Sequence, residues 1–179
     1  MTAIMHSTPR ADRYHTRPHH SARTGARNRA PRPDLRTLPR ERWATAMREN
    51  LRTGFSGWLD FETISFKPGR MEARLPLRDQ LMMAAGDFLH AGTVVAFADS
   101  CAGWGCLASL PDGIAGFTTL ELNVNLVATA RVPDALRCVA QLRHGGRTTQ
   151  VWDATVSRES DGRPVGHFRC TQYLLTQQR

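Results

Sequence analysis

The chain has 179 residues, a length that suits one domain, with 24 Lys and Arg against 16 Asp and Glu and a sequence pI near 10.5. No run approaches eighteen uninterrupted apolar residues, so no membrane-spanning helix is expected. Cys101, Cys106, Cys138 and Cys170 form no Cys-x-x-Cys pair and stand beside no histidine cluster; this argues against a zinc site or disulfide framework and predicts packed, reduced thiols in a cytoplasmic protein.

The charge is concentrated at one end. The first forty residues hold nine Arg, five Pro and four His against Asp12 and Asp34, whereas the other 139 are nearly balanced. Such a composition cannot bury enough apolar surface to offset the entropy of ordering. Residues 1–38 therefore read as a disordered basic extension and residues 39–179 as the folded domain. The extension lacks the apolar core of a secretory signal. A basic tail can associate weakly with polyanions by counterion release. This one has neither interleaved aromatics nor a helical period, so no specific nucleic-acid or membrane partner is expected.

A first helix is predicted over 39–51, with Trp43, Met47 and Leu51 as its apolar stripe and Gly54 and Gly57 ending it. The period then falls to two. Trp58 to Phe66 reads as a strand, Pro68-Gly69 as a turn, and Met71, Ala73, Leu75 and Leu77 as the inward face of a second strand. Residues 79–89 are a loop. A long helix follows from Gly92 to Leu110, stopped by Pro111-Asp112-Gly113. Its Gly103 and Gly105 cost about 1 kcal/mol each in a helix interior; they make sense if a sheet must come close.

Four further strands are predicted. Residues 117–127 place Thr118, Leu120, Leu122, Val124 and Leu126 on one face. Residues 135–143 do so with Leu136, Cys138, Ala140 and Leu142, and residues 147–158 with Gln150, Trp152, Ala154 and Val156. Asp161-Gly162 is a hairpin turn, and 163–175 carry Phe168, Cys170 and Leu174 inward. Two strands, an apolar helix and four meandering strands describe an α+β fold, an antiparallel sheet wrapped around one helix.

The central helix is apolar nearly all round, which predicts burial, yet it carries Asp99. A buried carboxylate is costly unless paired, hydrogen-bonded or protonated, so Asp99 needs a justification, and catalysis is one. Gly92 lies two turns earlier, on nearly the same helix face. There a free backbone N–H and the helix dipole would polarise a carbonyl oxygen, and a residue without a side chain lets substrate approach.

Three segments carry a family resemblance in the right order: His90-Ala91-Gly92 with Phe97-Ala98-Asp99, then Phe117-Thr118-Thr119-Leu120-Glu121-Leu122-Asn123, then His144-Gly145-Gly146-Arg147. Across residues 50–175 the chain resembles the PaaI-type acyl-CoA thioesterases of the hotdog fold. The resemblance implies hydrolysis of an acyl- or aryl-acyl-CoA thioester. Asp99 would be general base or nucleophile, the Gly92 N–H would polarise the carbonyl, and His90 would fix the turn or act as an acid. A hydroxyl on the following strand would orient water. Alignment of the motif favours Thr119 for this, whereas strict alternation puts Thr118 on the apolar face; only a bulge or a subunit interface would favour Thr119. Gly145, Gly146 and Arg147 would contact coenzyme A. Phe88, Phe97, Trp104 and Phe117 are candidate pocket walls.

The resemblance also implies an active site between subunits, in a homodimer or homotetramer, with no metal or redox cofactor; coenzyme A enters only with the substrate. Three departures stand out: Ala91 in place of a glycine, no Asn before the His turn, and Val127-Ala128-Thr129-Ala130 where relatives show Arg-Pro. A non-catalytic acyl-CoA-binding or regulatory hotdog protein with a basic tail is the alternative reading. A hotdog hydratase fits poorly, because Asp87 and His90 are only three residues apart.

Overall fold

The computed structural model describes residues 38, 39, 42, 45, 46, 49, 54–84 and 87–176. Apart from Leu38, the basic extension lies outside these residues, as do Trp43, Met47 and Leu51. Arg42, Thr45, Ala46 and Glu49 are helical, and Ala46 is buried.

Among the described residues six strands form one antiparallel sheet: β1 Glu62–Lys67, β2 Arg70–Pro76, β3 Ile114–Leu126, β4 Ala135–Gly145, β5 Thr149–Arg158 and β6 Pro164–Thr176, in the order β1-β2-β4-β5-β6-β3. A short helix, α1 (Gly54–Leu59), precedes them. The 18-residue α2 (Ala91–Ala108) connects β2 to the far edge strand β3 and packs against every strand. This is the expected hotdog arrangement of sheet around helix.

The period-2 reading holds on β2, β4 and β5, where Met71, Ala73, Leu75, Leu136, Cys138, Ala140, Trp152 and Val156 are fully buried. Cys101, Cys106, Cys138 and Cys170 are free, buried thiols. Glu72 breaks the pattern: it is buried although its position in β2 predicts exposure. Burial would raise its pKa, but hydrogen bonds from Arg137 and Arg70 outweigh that and hold it below the usual carboxylate range.

Trp58 and Leu59 belong to α1, not to a strand, and Gly54 and Gly57 lie in that helix; where the predicted 39–51 helix ends falls outside the described residues. The reasons are local. Gly54 and Asp60, on either side of the turn of helix, have positive φ, 69° and 57°, which bends the chain sharply into and out of it. Leu59 is driven into the core, while Arg78 donates to the carbonyls of Trp58 (2.6 Å) and Leu59 (3.1 Å), satisfying the last turn.

Helix α2 is not buried all round. Val94, Phe97, Ala98, Cys101, Ala102, Gly105 and Cys106 face the sheet, while a stripe through Ala96, Asp99, Ser100, Gly103 and Trp104 is only half-buried. By length and composition α2 would pass for a membrane span; packing half of it against a sheet is the other setting in which so apolar a helix is stable. At Gly105 the sheet leaves no room for a side chain, for a Cβ there would lie 2.7 Å from the Trp152 ring. Gly103 faces Phe117 in the same way, at 3.2 Å. The helix ends at Ala108, and the Ser109 hydroxyl ties it down by donating to Gly105 O (2.8 Å) and accepting from Gly69 N (2.8 Å) in the β1–β2 turn.

Candidate active site

The start of α2 is held from both sides. His90 N donates to Leu81 O (3.0 Å) and the Thr93 hydroxyl donates to the same carbonyl (2.9 Å), fixing the helix on the preceding loop. His90 is the N-cap, and its imidazole Nδ1 accepts the Gly92 N–H at 2.9 Å. This bond requires a neutral imidazole with its proton on Nε2. It also explains the glycine. Gly92 has ordinary helical φ, but a Cβ there would meet His90 Nδ1 at 2.9 Å, so any side chain displaces the cap. In the isolated chain, then, the N–H assigned to the substrate carbonyl is already engaged by His90.

Asp99 lies on the half-buried stripe of α2. It opens into a recess of about 250 Å³ lined by Phe55, Ser56, Asp99, Ser100, Gly103, Trp104, Phe117 and Thr119. Burial raises the pKa of its carboxyl, and the nearby Thr119 hydroxyl offsets this only in part. The Oδ1 atom is buried and has no hydrogen-bond partner. Buried polar atoms are nearly always satisfied, so an orphaned carboxylate oxygen on a residue that lines an aromatic recess marks a place for a ligand or water.

Thr119 reaches this recess because β3 is bulged. Its pairing with β6 shifts between Thr119 and Glu121. Phe117 and Thr119, opposite the inward Leu174 and Gln172, therefore share a face with Leu122, Val124 and Leu126 further along. The extra residue Leu120 is 62% exposed, and Thr118 is exposed too. The alternation that put Thr118 and Leu120 inward fails at this one residue. The Thr119 hydroxyl donates to Gln172 Oε1 at 2.9 Å.

Other candidates fall elsewhere. Phe97 is not a pocket wall: it is fully buried and packs on Phe61, ring centroids 5.5 Å apart. Phe88 lines a separate recess of about 190 Å³ at the start of α2, with Ala91, Val94, Leu126 and Thr129, and the Arg131 guanidinium lies 5.8 Å from its ring. Gly145, Gly146 and Arg147 form the β4–β5 hairpin, closed by Gly146 N donating to Thr149 O (2.8 Å), with Arg147 exposed. None of these three, nor Gly92 or His90, lines the Asp99 recess of the same chain. Phe55 and Ser56 of α1 do, at positions where no site residue is expected from the sequence. Gln172 was also missed; its signal was a polar side chain in the inward phase of Phe168, Cys170 and Leu174.

A larger concavity, about 400 Å³, lies on the other face of the sheet and contains Arg143, Asp153, His167 and Arg169. Its carboxylate is already occupied. Arg169 donates to Asp153 at 2.6 and 2.8 Å and Arg143 at 3.0 Å, and the Arg169 bond chiefly holds its pKa low. Unpartnered chemistry lies at Asp99. No group of His, Cys, Asp and Glu among the described residues is arranged to hold a metal ion.

Comparison with known proteins agrees with this architecture. Residues 86–165, from the His turn through β5, match the family model of the thioesterase superfamily. No curated protein matches the chain. Similar solved structures include a mutant thioesterase from Pseudomonas aeruginosa (24% identity, TM-score 0.69, 75% of this chain and 94% of that one) and a thioesterase from Haemophilus influenzae (22%, 0.68, 74% and 90%). A Streptococcus mutans protein solved with acetyl-CoA is also similar (23%, 0.60, 67% and 92%). At these identities the likeness is one of fold, and the fold is the hotdog.

Proposed function

We propose that this chain is an acyl-CoA thioesterase of the PaaI type, with Asp99 as the group that acts on the thioester carbon. The observation that carries the reading is the orphaned, buried Oδ1 of Asp99 in a recess walled by Phe55, Trp104 and Phe117. The apolar walls suit an acyl group. The carboxylate, its pKa raised by burial, is a stronger base than an exposed aspartate. It either takes a proton from water attacking the carbonyl or attacks that carbon itself to give a mixed anhydride. Both routes expel the thiol of coenzyme A, and acetyl-CoA bound to the Streptococcus mutans neighbour supports that leaving group.

The Gly92 N–H supplies the oxyanion contact, but not to the Asp99 of its own chain. Seven residues of helix separate the two by about 10 Å, and Gly92 does not line the recess into which Asp99 opens. A second copy solves this. The edge strand β3 leaves Leu120, Leu122 and Leu126 exposed, a surface that a soluble protein covers. In the homodimer or homotetramer, one chain's Gly92 meets another's Asp99, and the substrate carbonyl replaces His90 Nδ1 on the Gly92 N–H. Arg147, Gly145 and Gly146 hold the nucleotide part of coenzyme A. A monomer by light scattering would contradict this arrangement.

The deciding experiment is thiol release from a panel of aryl and aliphatic acyl-CoA thioesters. Wild type turns over at least one of them, and D99N loses about 10²–10⁴-fold in kcat. In the same panel R147A raises KM and spares kcat. Equal rates for wild type and D99N would remove Asp99 from the chemistry. Tight acyl-CoA binding without any turnover would instead favour a binding or regulatory protein. Label in the Asp99 carboxylate after a single turnover in ¹⁸O-water identifies the anhydride route, because it enters only when water opens the mixed anhydride at the aspartyl carbon.

A further inference from the structure

We propose that Gln172 is a positioning residue of the Asp99 site: by holding the one hydroxyl proton of Thr119, it makes Thr119 an acceptor toward the recess. The role in catalysis rests on the thioesterase reading above; the hydrogen-bond relay itself does not.

Gln172 sits in the inward face of β6, directly opposite Thr119 in the β3–β6 register, and is 0% exposed. A buried amide among apolar neighbours is expensive unless its groups are satisfied. Its Oε1 accepts from the Thr119 hydroxyl at 2.9 Å, and its Nε2 donates to Cys170 Sγ at 3.2 Å. A thiol sulfur is a weak acceptor, so Thr119 is the stronger partner. The β3 bulge makes the pairing possible, since without it Thr119 would point away from both Gln172 and α2.

A threonine hydroxyl has one proton and two lone pairs. Near Thr119 there are two takers for the proton, Gln172 Oε1 and the Asp99 carboxylate. The proton goes to the first, at 2.9 Å; the carboxylate lies near enough to feel the hydroxyl, but its Oδ1 has no partner. The lone pairs of Thr119 are then free to hold the second hydrogen of a water whose first hydrogen goes to Asp99. With Gln172 absent, the freed hydroxyl would donate to Asp99, favour its charged form and weaken it as a base. Among the described residues that line the recess, no other group titrates. Ser56, Phe55, Trp104 and Phe117 bring none to the recess. Cys170, which faces Asp99 from β6, is a neutral thiol, its pKa pushed by burial to about 12.

The test is the titration of the Asp99 carboxyl, followed by carbon NMR on the full chain and assigned by its loss in D99N. Wild type, Q172M, T119V and T119V/Q172M are compared, Q172M keeping the volume without the amide. The expected result is a midpoint about one pH unit lower in Q172M and the same in T119V/Q172M as in T119V. Enzyme kinetics should show kcat about tenfold lower in Q172M at unchanged KM, with the double variant no slower than T119V. A midpoint unmoved by Q172M, or moved equally in the T119V background, overturns the proposal and leaves Gln172 a packing residue. If Q172M does not fold, Q172N, whose amide is withdrawn by one methylene, gives the same comparison. A wild type inactive on every acyl-CoA would sink the proposed function, while the titration would still decide the relay.

Discussion

The packing of Gly105 against the Trp152 ring gives a sharp stability test, the substitution of Gly105 by Ala. In an open helix this change gains about 1 kcal/mol. Here the new Cβ would lie 2.7, 2.8 and 3.3 Å from Cζ3, Cη2 and Cε3 of Trp152. The indole has little room to retreat. It is 0% exposed, its Nε1 donates to Gln150 Oε1 at 2.9 Å, and Gln150 Nε2 in turn donates to Ser109 O at 2.9 Å. Overpacking of a tight core costs about 1–3 kcal/mol, and losing the Trp152–Gln150 bond costs about 1 more. Set against the helix gain, the net is a loss of roughly 1–3 kcal/mol, a fall in Tm of roughly 2–12 °C for a domain of this size. Thermal unfolding at fixed protein concentration is the assay, because any assembly makes Tm concentration-dependent. Gly103→Ala is the control: its nearest neighbour is the tip of the half-buried Phe117, at 3.2 Å, and the change should stay within about 1 kcal/mol. W152F should recover part of the loss in the G105A background. A G105A protein as stable as wild type would refute the claim that Trp152 sets the helix–sheet distance.

Asp99 should cost stability while serving chemistry. Its pKa is raised in the folded chain, so the native state favours the protonated carboxyl; that stability is present below the unfolded pKa and is lost as pH rises through the folded one. D99N should therefore have a higher Tm than wild type at pH 7, with the gap narrowing toward pH 3; an equal or lower Tm at pH 7 would show that burial of the charge is not costly here. His90→Ala removes the N-cap and should destabilise by about 0.5–2 kcal/mol, whereas H90N, a good cap residue, should lose little. Urea denaturation of the two variants checks this, and equal loss in both would mean that the imidazole does more than cap.

Much of the fold is legible in the residues. The alternation of Met71, Ala73 and Leu75, and of Leu136, Cys138 and Ala140, places six of the sheet's core contacts, because side chains on a strand must alternate. Asp99 is legible as a lone carboxylate in an apolar helix, a costly choice that calls for a reason. Gly92 was visible as a helix start, but not its bond to His90, which depends on the imidazole folding back over the N–H. Thr118 and Thr119 could not be told apart by periodicity. A single inserted residue at Leu120 reverses the phase of β3, and the bulge comes from pairing with β6, more than forty residues away in sequence. Gln172 carried a local signal, a polar residue in an apolar phase, yet its meaning lay in its partner across the sheet.

Periodicity and the cost of burying charge are local properties, so the chain by itself settled the element order, the inward faces and the one carboxylate that had to be explained. Which hydroxyl faces that carboxylate, which amide N–H is already engaged and which glycine yields to an indole all depend on distances between segments remote in sequence. Only the packed sheet and helix decide these, because hydrogen-bond and van der Waals contacts turn on tenths of an ångström that no spacing of residues encodes.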